Sequence, residues 1–136
     1  MMDRNWTDRF IDIPFKPDGR DRSGCDCWGL VLLIYRERLG IELPDYRGIF
    51  TDQSLATLRR VAEVMNQNRE SWQKVDTPQP YDVVMMRSGK YTWHAGIVVS
   101  KNYMLHIMEG IDSCLEEYTG IMWKNRVAEF RRYPGV

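Results

Sequence analysis

The residues of this 136-residue chain best suited to covalent chemistry are a few cysteines and histidines. Both histidines, His94 and His106, lie in one short stretch, Trp93-His-Ala-Gly-Ile-Val-Val-Ser-Lys-Asn-Tyr-Met-Leu-His106. Cys27 comes earlier, where a helix should begin. A thiol, a base and a group that orients the base form the minimum set for a cysteine nucleophile. The attacking species is the thiolate, which is scarce at neutral pH for a free thiol of pKa about 8.5. The first turn of a helix carries partial positive charge and unpaired N–H groups, which favour it. Asp26 as N-cap would put Cys27 in that first turn, with an imidazole as ion-pair partner or general base. The plainer reading of Cys27 is a small buried hydrophobe.

The other cysteines are weaker candidates. Cys25 falls before the cap, without the helix advantage, and a Cys25–Cys27 disulfide would close a tiny strained ring. Cys114 follows the histidine strands and reads most simply as structural. Zinc on Cys25, Cys27, His94 and His106 is disfavoured, because the cysteines lack the usual knuckle spacing and the histidines are 12 apart (106 − 94).

The histidines can be placed by strand register. With Ser100-Lys101-Asn102 as a three-residue hairpin loop, Val99 pairs with Tyr103, Gly96 with His106 and His94 with Met108. His94 and His106 then share one sheet face as diagonal neighbours, roughly 7–8 Å apart at the backbone. Gly96 opposite His106 leaves room for its ring. A two-residue loop would put the rings on opposite faces. Both rings are therefore expected on one face of an antiparallel hairpin, aimed at the start of the Cys27 helix.

The elements that must hold these residues follow from the rest of the pattern. Residues 1 to 24 read as an irregular lead-in, since Ile13-Pro14-Phe15-Lys16-Pro17-Asp18-Gly19-Arg20 opposes helix. A helix runs from the Asp26 cap to Gly40 as C′ residue, apolar on most sides up to Tyr35 and hence buried. Gly29, costly in a helix, marks a close approach of another element or a ligand. A second helix is expected from about Asp52 to Arg69, with Leu55, Leu58, Ala62 and Met65 as its core stripe. Strands are expected at Tyr81–Met86, Trp93–Val99, Tyr103–Met108 and Val127–Tyr133, with a turn at Arg87-Ser-Gly-Lys90. Helices first and neighbouring strands later imply an α+β layer on an antiparallel sheet, one domain over residues 1–136.

Bulk composition excludes several classes. Lys plus Arg equals Asp plus Glu at 19 each, so no net field favours a nucleic acid partner. Arg59-Arg60 and Arg131-Arg132 read as solvated faces. No apolar run approaches the roughly 18 residues of a membrane helix, and the first residues lack a signal-peptide core. Three cysteines cannot all pair within the chain, which fits synthesis in a reducing cytoplasm.

Asp26-Cys27-Trp28-Gly29-Leu30-Val31, then His94-Ala-Gly-Ile97, then Leu105-His106, resembles the NlpC-type cysteine peptidases, which have a papain-like fold. The finer resemblance is to tail-tip assembly proteins of lambda-like phages. It rests on Gly-Arg-x-x-x-Gly-x-Asp-Cys-Trp-Gly-Leu-Val, Tyr35-Arg-Glu, Gly40-Ile-Glu-Leu-Pro-Asp-Tyr46 and Phe130-Arg-Arg-Tyr133, and it covers about Trp6 to Tyr133. It implies Cys27 as nucleophile, His94 as base and His106 as the orienting group. It also implies cell-wall stem peptides as substrate, cut after D-glutamate, with Asp26 holding the peptide's amino end. Phe15 stands where many members have Tyr, and Trp28 where many have Ser, so both fall at substrate-contact positions. The implied chemistry needs no metal or organic cofactor. The resemblance implies a chain incorporated in a phage tail, with other tail-tip proteins as partners, which fits first residues that read as no signal peptide. Two other readings use the same residues. One is a structural tail-tip subunit, for which Trp6, Trp28, Trp72, Trp93 and Trp123 could form an interface. The other is a thiol acyltransferase on the same scaffold.

Overall fold

Asp26 starts the central helix. Its backbone is extended (φ −93°, ψ −173°), and its carboxylate accepts the Gly29 N–H, so the chain enters α1 (Cys27–Ile34) with an orphan donor satisfied. All eight residues of α1 are buried. Leu30, Val31, Leu32, Leu33 and Ile34 cover every side, so the helix is enclosed all round rather than amphipathic. Each such aliphatic side chain contributes about 1.5–3 kcal/mol on burial. The helix continues as one π-helical turn over Tyr35–Leu39 and stops at Gly40, which is left-handed (φ 66°) and donates its N–H to the Arg36 carbonyl.

This computed structural model describes residues 6–45, 59–60, 63, 72–88 and 91–135. The expected Asp52–Arg69 helix, with Leu55, Leu58, Ala62 and Met65, lies outside the described residues except for helical Arg59, Arg60 and Glu63.

The lead-in is more ordered than its prolines suggest. Trp6–Phe10 forms a 3-10 helix, and β1 (Arg20–Asp21) pairs with β2 (Gly24–Cys25) as a minimal hairpin. Gly29 sits where this hairpin touches the helix. A Cβ there would lie 2.0 Å from the Gly19 carbonyl oxygen. The close approach expected at Gly29 is thus to backbone.

Six strands form one antiparallel sheet in the order β3-β8-β4-β5-β6-β7. They are β3 (Gln73–Val75), β4 (Val83–Ser88), β5 (Tyr91–Val98), β6 (Tyr103–Met108), β7 (Ile111–Glu117) and β8 (Val127–Arg132). Alternation splits the side chains between two faces. Val83, Met85, Ala95, Ile97, Leu105 and Ile107 pack with α1. Val84, Met86, Val98 and Met104 pack beneath Tyr118 and Trp123, both in the link from β7 to β8. Both faces are covered, which is why these strands read as nearly continuous apolar runs. The fold is the expected α+β arrangement, a buried helix on an antiparallel sheet. Arg87 and Ser88 of the expected turn at residues 87–90 belong to β4, and its last two residues lie outside the described residues.

β7 was not expected. Its strand-like side chains are interleaved with Asp112, Cys114 and Glu116, so no apolar run marks it. The two-residue link Glu109-Gly110, with Gly110 at φ 85°, turns the chain back and pairs Met108 with Ile111. Arg131 and Arg132 are not simply solvated. Arg132 holds Asp82 through two nitrogens, and Arg131 meets Glu129 at 2.7 Å. Arg59 and Arg60 are exposed as expected. Trp6, Trp28 and Trp123 are buried in this structure rather than offered as a surface.

Gly29→Ala tests the helix–hairpin contact. Alanine normally stabilises a helix interior by about 1 kcal/mol over glycine. Here the new methyl must displace the Gly19 carbonyl, and overpacking of this kind costs about 1–3 kcal/mol. Chemical denaturation should show Gly29→Ala less stable than the parent chain. A gain in stability would remove the contact from the account.

Candidate active site

Cys27 begins at the helix start and ends at the sheet. The hydrogen bond from Val99 N–H to the Tyr103 carbonyl sets the phase of β5, so alternate residues Ala95, Ile97 and Val99 direct their N–H groups toward β6. The β5–β6 ladder stops at Ile97↔Leu105. Beyond that pair, the Ala95 N–H points into the opening between the strands, and there it donates to the Cys27 sulfur. The Trp28 N–H also points at the sulfur. The thiol therefore meets β5 at the His94–Ala95 step, through an opening in the sheet.

The three-residue loop and the register beside it are as expected, but the expected pairs Gly96–His106 and His94–Met108 are not part of the ladder. Val98 pairs with Met104 and Ile97 with Leu105. A Cβ on Gly96 would lie 3.3 Å from the His106 Cβ, so glycine leaves room for that ring. His94 Nε2 and His106 Nδ1 are 3.0 Å apart. Both rings leave the same sheet face, but it is the face opposite Ala95 and the body of α1. The rings were expected to aim straight at the helix start. The contact of the helix start with β5 is made at the neighbouring residue, through the Ala95 N–H, past the end of the β5–β6 ladder.

The hydrogen bonding continues beyond the two histidines. His106 Nε2 lies 2.8 Å from Glu116 Oε1, and Trp123 Nε1–H donates to Glu116 Oε2 at 2.8 Å. The Trp123 ring stacks on His94 (centroids 5.8 Å, interplanar angle 25°) and meets His106 edge-on at 5.2 Å. Arg126 in turn lies over Trp123 at 4.5 Å. Register explains Glu116: His106 pairs with Cys114, and Glu116 follows two residues on, along the same face of β7. Neither Glu116 nor Trp123 was singled out from sequence. The Glu109-Gly110 turn alone would not have found Glu116, because a register shift between His106 and Met108 is what brings Cys114 rather than Ser113 opposite His106.

Burial sets the charge states. It pushes the Cys27 thiol up to about 12, with Asp26 adding to the rise and the Ala95 and Trp28 N–H groups opposing it. The thiolate expected at a helix N-terminus is thus not the resting form, because the helix start is dry. Burial pushes His94 well below the ordinary imidazole value, aided by His106 and Arg126. It lowers His106 too, against the upward pull of Glu116. Glu116 is raised by burial but lowered overall by the bonds from Trp123 and His106. The resting site is a neutral thiol near neutral imidazoles, with the negative charge on Glu116.

The remaining candidates take clear positions. The Asp26 carboxylate is 1% exposed. It accepts from Gly29 N (2.7 Å), Arg20 Nη1 (2.8 Å) and Asp18 N (3.1 Å). Trp28 donates from Nε1 to the Pro44 carbonyl at 2.7 Å. Phe15 bridges Cys25, two residues before the nucleophile candidate. Cys25 is fully buried, donates to the Asp21 carbonyl and is also pushed up to about 12 by burial. All three cysteines are free. The zinc set weighed from sequence does not assemble around Cys25. Among the described residues, His106, Cys114 and Glu116 bring ligand-type atoms within 4.8 Å of one another, two of them already joined by the 2.8 Å bond.

Comparison with known proteins agrees with this fold. The NlpC/P60 family model matches residues 12–132. The chain is 32% identical over 120 residues to tail tip assembly protein K of Escherichia phage N15, covering 82% of this chain and 46% of that protein. It is 26% identical over 128 residues to the murein DD-endopeptidase MepS/murein LD-carboxypeptidase of Escherichia coli K12, covering 92% and 60%. The chain thus spans about half the length of the curated relatives it matches. Among solved structures, it superposes on the NlpC/p60 domain of peptidoglycan hydrolase SagA with a TM-score of 0.64 at 16% identity, covering 92% and 91%. The match to NlpC2 from Trichomonas vaginalis has a TM-score of 0.68 at 17% identity, covering 96% and 45%. With its helix-borne Cys27 at the strand that carries the paired histidines, the chain belongs to the NlpC/P60 family.

Proposed function

We propose that this domain is a cysteine endopeptidase acting on bacterial cell-wall peptides, at the D-glutamyl bond, as part of a phage tail during cell-wall penetration. The observation that carries this reading is the paired imidazoles, His94 and His106, at the strand step where the Cys27 sulfur lies. The relatives named for murein cleavage and tail-tip assembly support the substrate and the setting.

In this reading the neutral thiol passes its proton to His94 as sulfur attacks the peptide carbonyl. Backbone N–H groups at the start of α1 hold the developing oxyanion. The intermediate collapses to a thioester at Cys27, and the departing amine takes the proton from His94. Water, deprotonated by His94, then cleaves the thioester. Proton transfer concerted with attack avoids a free ion pair, which burial disfavours. His106 orients His94. Asp26 is first a helix cap and the partner of Arg20, so a substrate amine would have to share it. Phe15 and Trp28, beside the helix start, would shape the entrance. No metal or organic cofactor enters this scheme.

The second reading, a structural tail-tip subunit, draws on the same phage relative and on the buried, high-pKa thiol. Loss of turbidity in a suspension of purified cell wall separates the two. The peptidase reading expects clearing by the parent chain and none by Cys27→Ala.

Three outcomes follow. His94→Ala should lower kcat/KM to near the level of Cys27→Ala, whereas His106→Asn, which still accepts a hydrogen bond, should keep more activity than His106→Ala. Equal loss with Asn and Ala would give His106 another role. The second outcome concerns pH. A base whose pKa is lowered stays unprotonated further into acid, so the acid limb of kcat/KM should lie well below pH 6.5. A midpoint at or above 6.5 would contradict a buried His94 base. The third is alkylation with limiting iodoacetamide. Cys114 is the most exposed cysteine and should label alike in the parent chain and in His94→Ala, while labelling of Cys27 should drop in His94→Ala. Unchanged Cys27 labelling would separate the thiol from His94.

A further inference from the structure

We infer that Glu116 is a positioning residue that sets the tautomer of both histidines, so that the lone pair of His94 is on Nδ1. The inference rests on the peptidase reading for its catalytic consequence, but the geometry it uses stands alone. Glu116 has two carboxylate oxygens, each facing a ring nitrogen, and Oε1 also takes the weak, long contact of the Cys114 thiol at 3.9 Å. Oε2 accepts from Trp123 Nε1–H, an indole that can only donate. Oε1 faces His106 Nε2 at 2.8 Å, and a carboxylate can only accept, so that ring nitrogen carries a proton. Neutral His106 then has its lone pair on Nδ1. His94 Nε2, 3.0 Å from that lone pair, must be the donor. A neutral His94 that donates from Nε2 keeps its lone pair on Nδ1, the atom left to take a proton from a thiol. One carboxylate thus fixes two rings in series, and Trp123 fixes the carboxylate.

The arrangement makes glutamine a sharp probe. Glu116→Gln keeps the shape but has one oxygen and one NH2 group. The indole donor claims the oxygen, which turns the NH2 toward His106 Nε2. His106 must then accept at Nε2 and carry its proton on Nδ1. His94 accepts in turn at Nε2, and its Nδ1 becomes protonated and useless as a base. A packing role alone would be satisfied by this isosteric change.

The chain contains only two histidines, both in this network, so 15N spectra of the tag-free protein report on nothing else. Wild type should show Nε2–H on both rings. Glu116→Gln should move both protons to Nδ1 and lower kcat by at least about tenfold, with KM nearly unchanged, the signature of a wrong tautomer. Adding Trp123→Phe removes the competing donor, so Glu116→Gln/Trp123→Phe should return both rings to Nε2–H. If the single variant does not fold, this double variant carries the test, and Nδ1–H there overturns the proposal. Rings that stay Nε2–H in a folded Glu116→Gln protein overturn it as well, whatever the rate. If the parent chain shows no Cys27-dependent hydrolysis, the peptidase reading fails, while the tautomer shift still decides the role of Glu116.

Discussion

The carboxylate of Asp26 is the interaction on which the site's position depends. It is buried and its acidity is weakened by that burial, yet three donors converge on it from three parts of the local chain: the first turn of α1, the Arg20 guanidinium and the Asp18 backbone. A buried carboxylate stripped of such partners would be strongly destabilising, typically by about 3–5 kcal/mol for a broken buried pair. Held this way, it locks the β1–β2 hairpin against the helix start and fixes where Cys27 leaves the backbone. Arg20 extends the same cluster to Asp45 at 2.9 Å, which draws in the chain after the helix.

The second organising constraint is that the sheet is incompletely closed between β5 and β6. A full ladder would spend the Ala95 N–H on β6 and leave the sulfur only the Trp28 N–H. Gly96 and the His106 ring sit just past the last pair, Ile97↔Leu105, and the helix start comes in at the same level. Trp123 closes the far side of the two imidazoles. Sulfur and rings are therefore dry from both directions, which explains why neutral forms prevail although a helix N-terminus alone would favour the thiolate.

Much of this was legible in the residues. Asp26 and Gly40 bound the helix because capping and left-handed termination have strong chemical preferences. The histidine pairing followed from counting a three-residue loop, since a sheet repeats every two residues. What was missed has physical reasons. β1 and β2 are too short to show alternation, and prolines hid the order of the lead-in. β7 is a sheet edge whose polar positions face functional partners rather than core, so its apolar signal is diluted, and Glu116 went unnoticed with it. Arg132 read as surface because the sequence does not show that Asp82, 50 residues away (132 − 82), would meet it. Thiol burial was hidden for the same reason: it depends on contacts distant in sequence.

Ser113 ties together the two ends of the molecule. Its hydroxyl accepts from Ile13 N–H and donates to the Phe10 carbonyl, across about 100 residues of chain. Cys27 and His94 are themselves 67 positions apart (94 − 27). Closing spans of this length costs chain entropy that only completed packing repays. A nascent or half-folded chain therefore holds a thiol and two imidazoles with no means of acting together. In the peptidase reading, reactivity is tied to folding itself, and a chain that has not finished folding carries no assembled nucleophile.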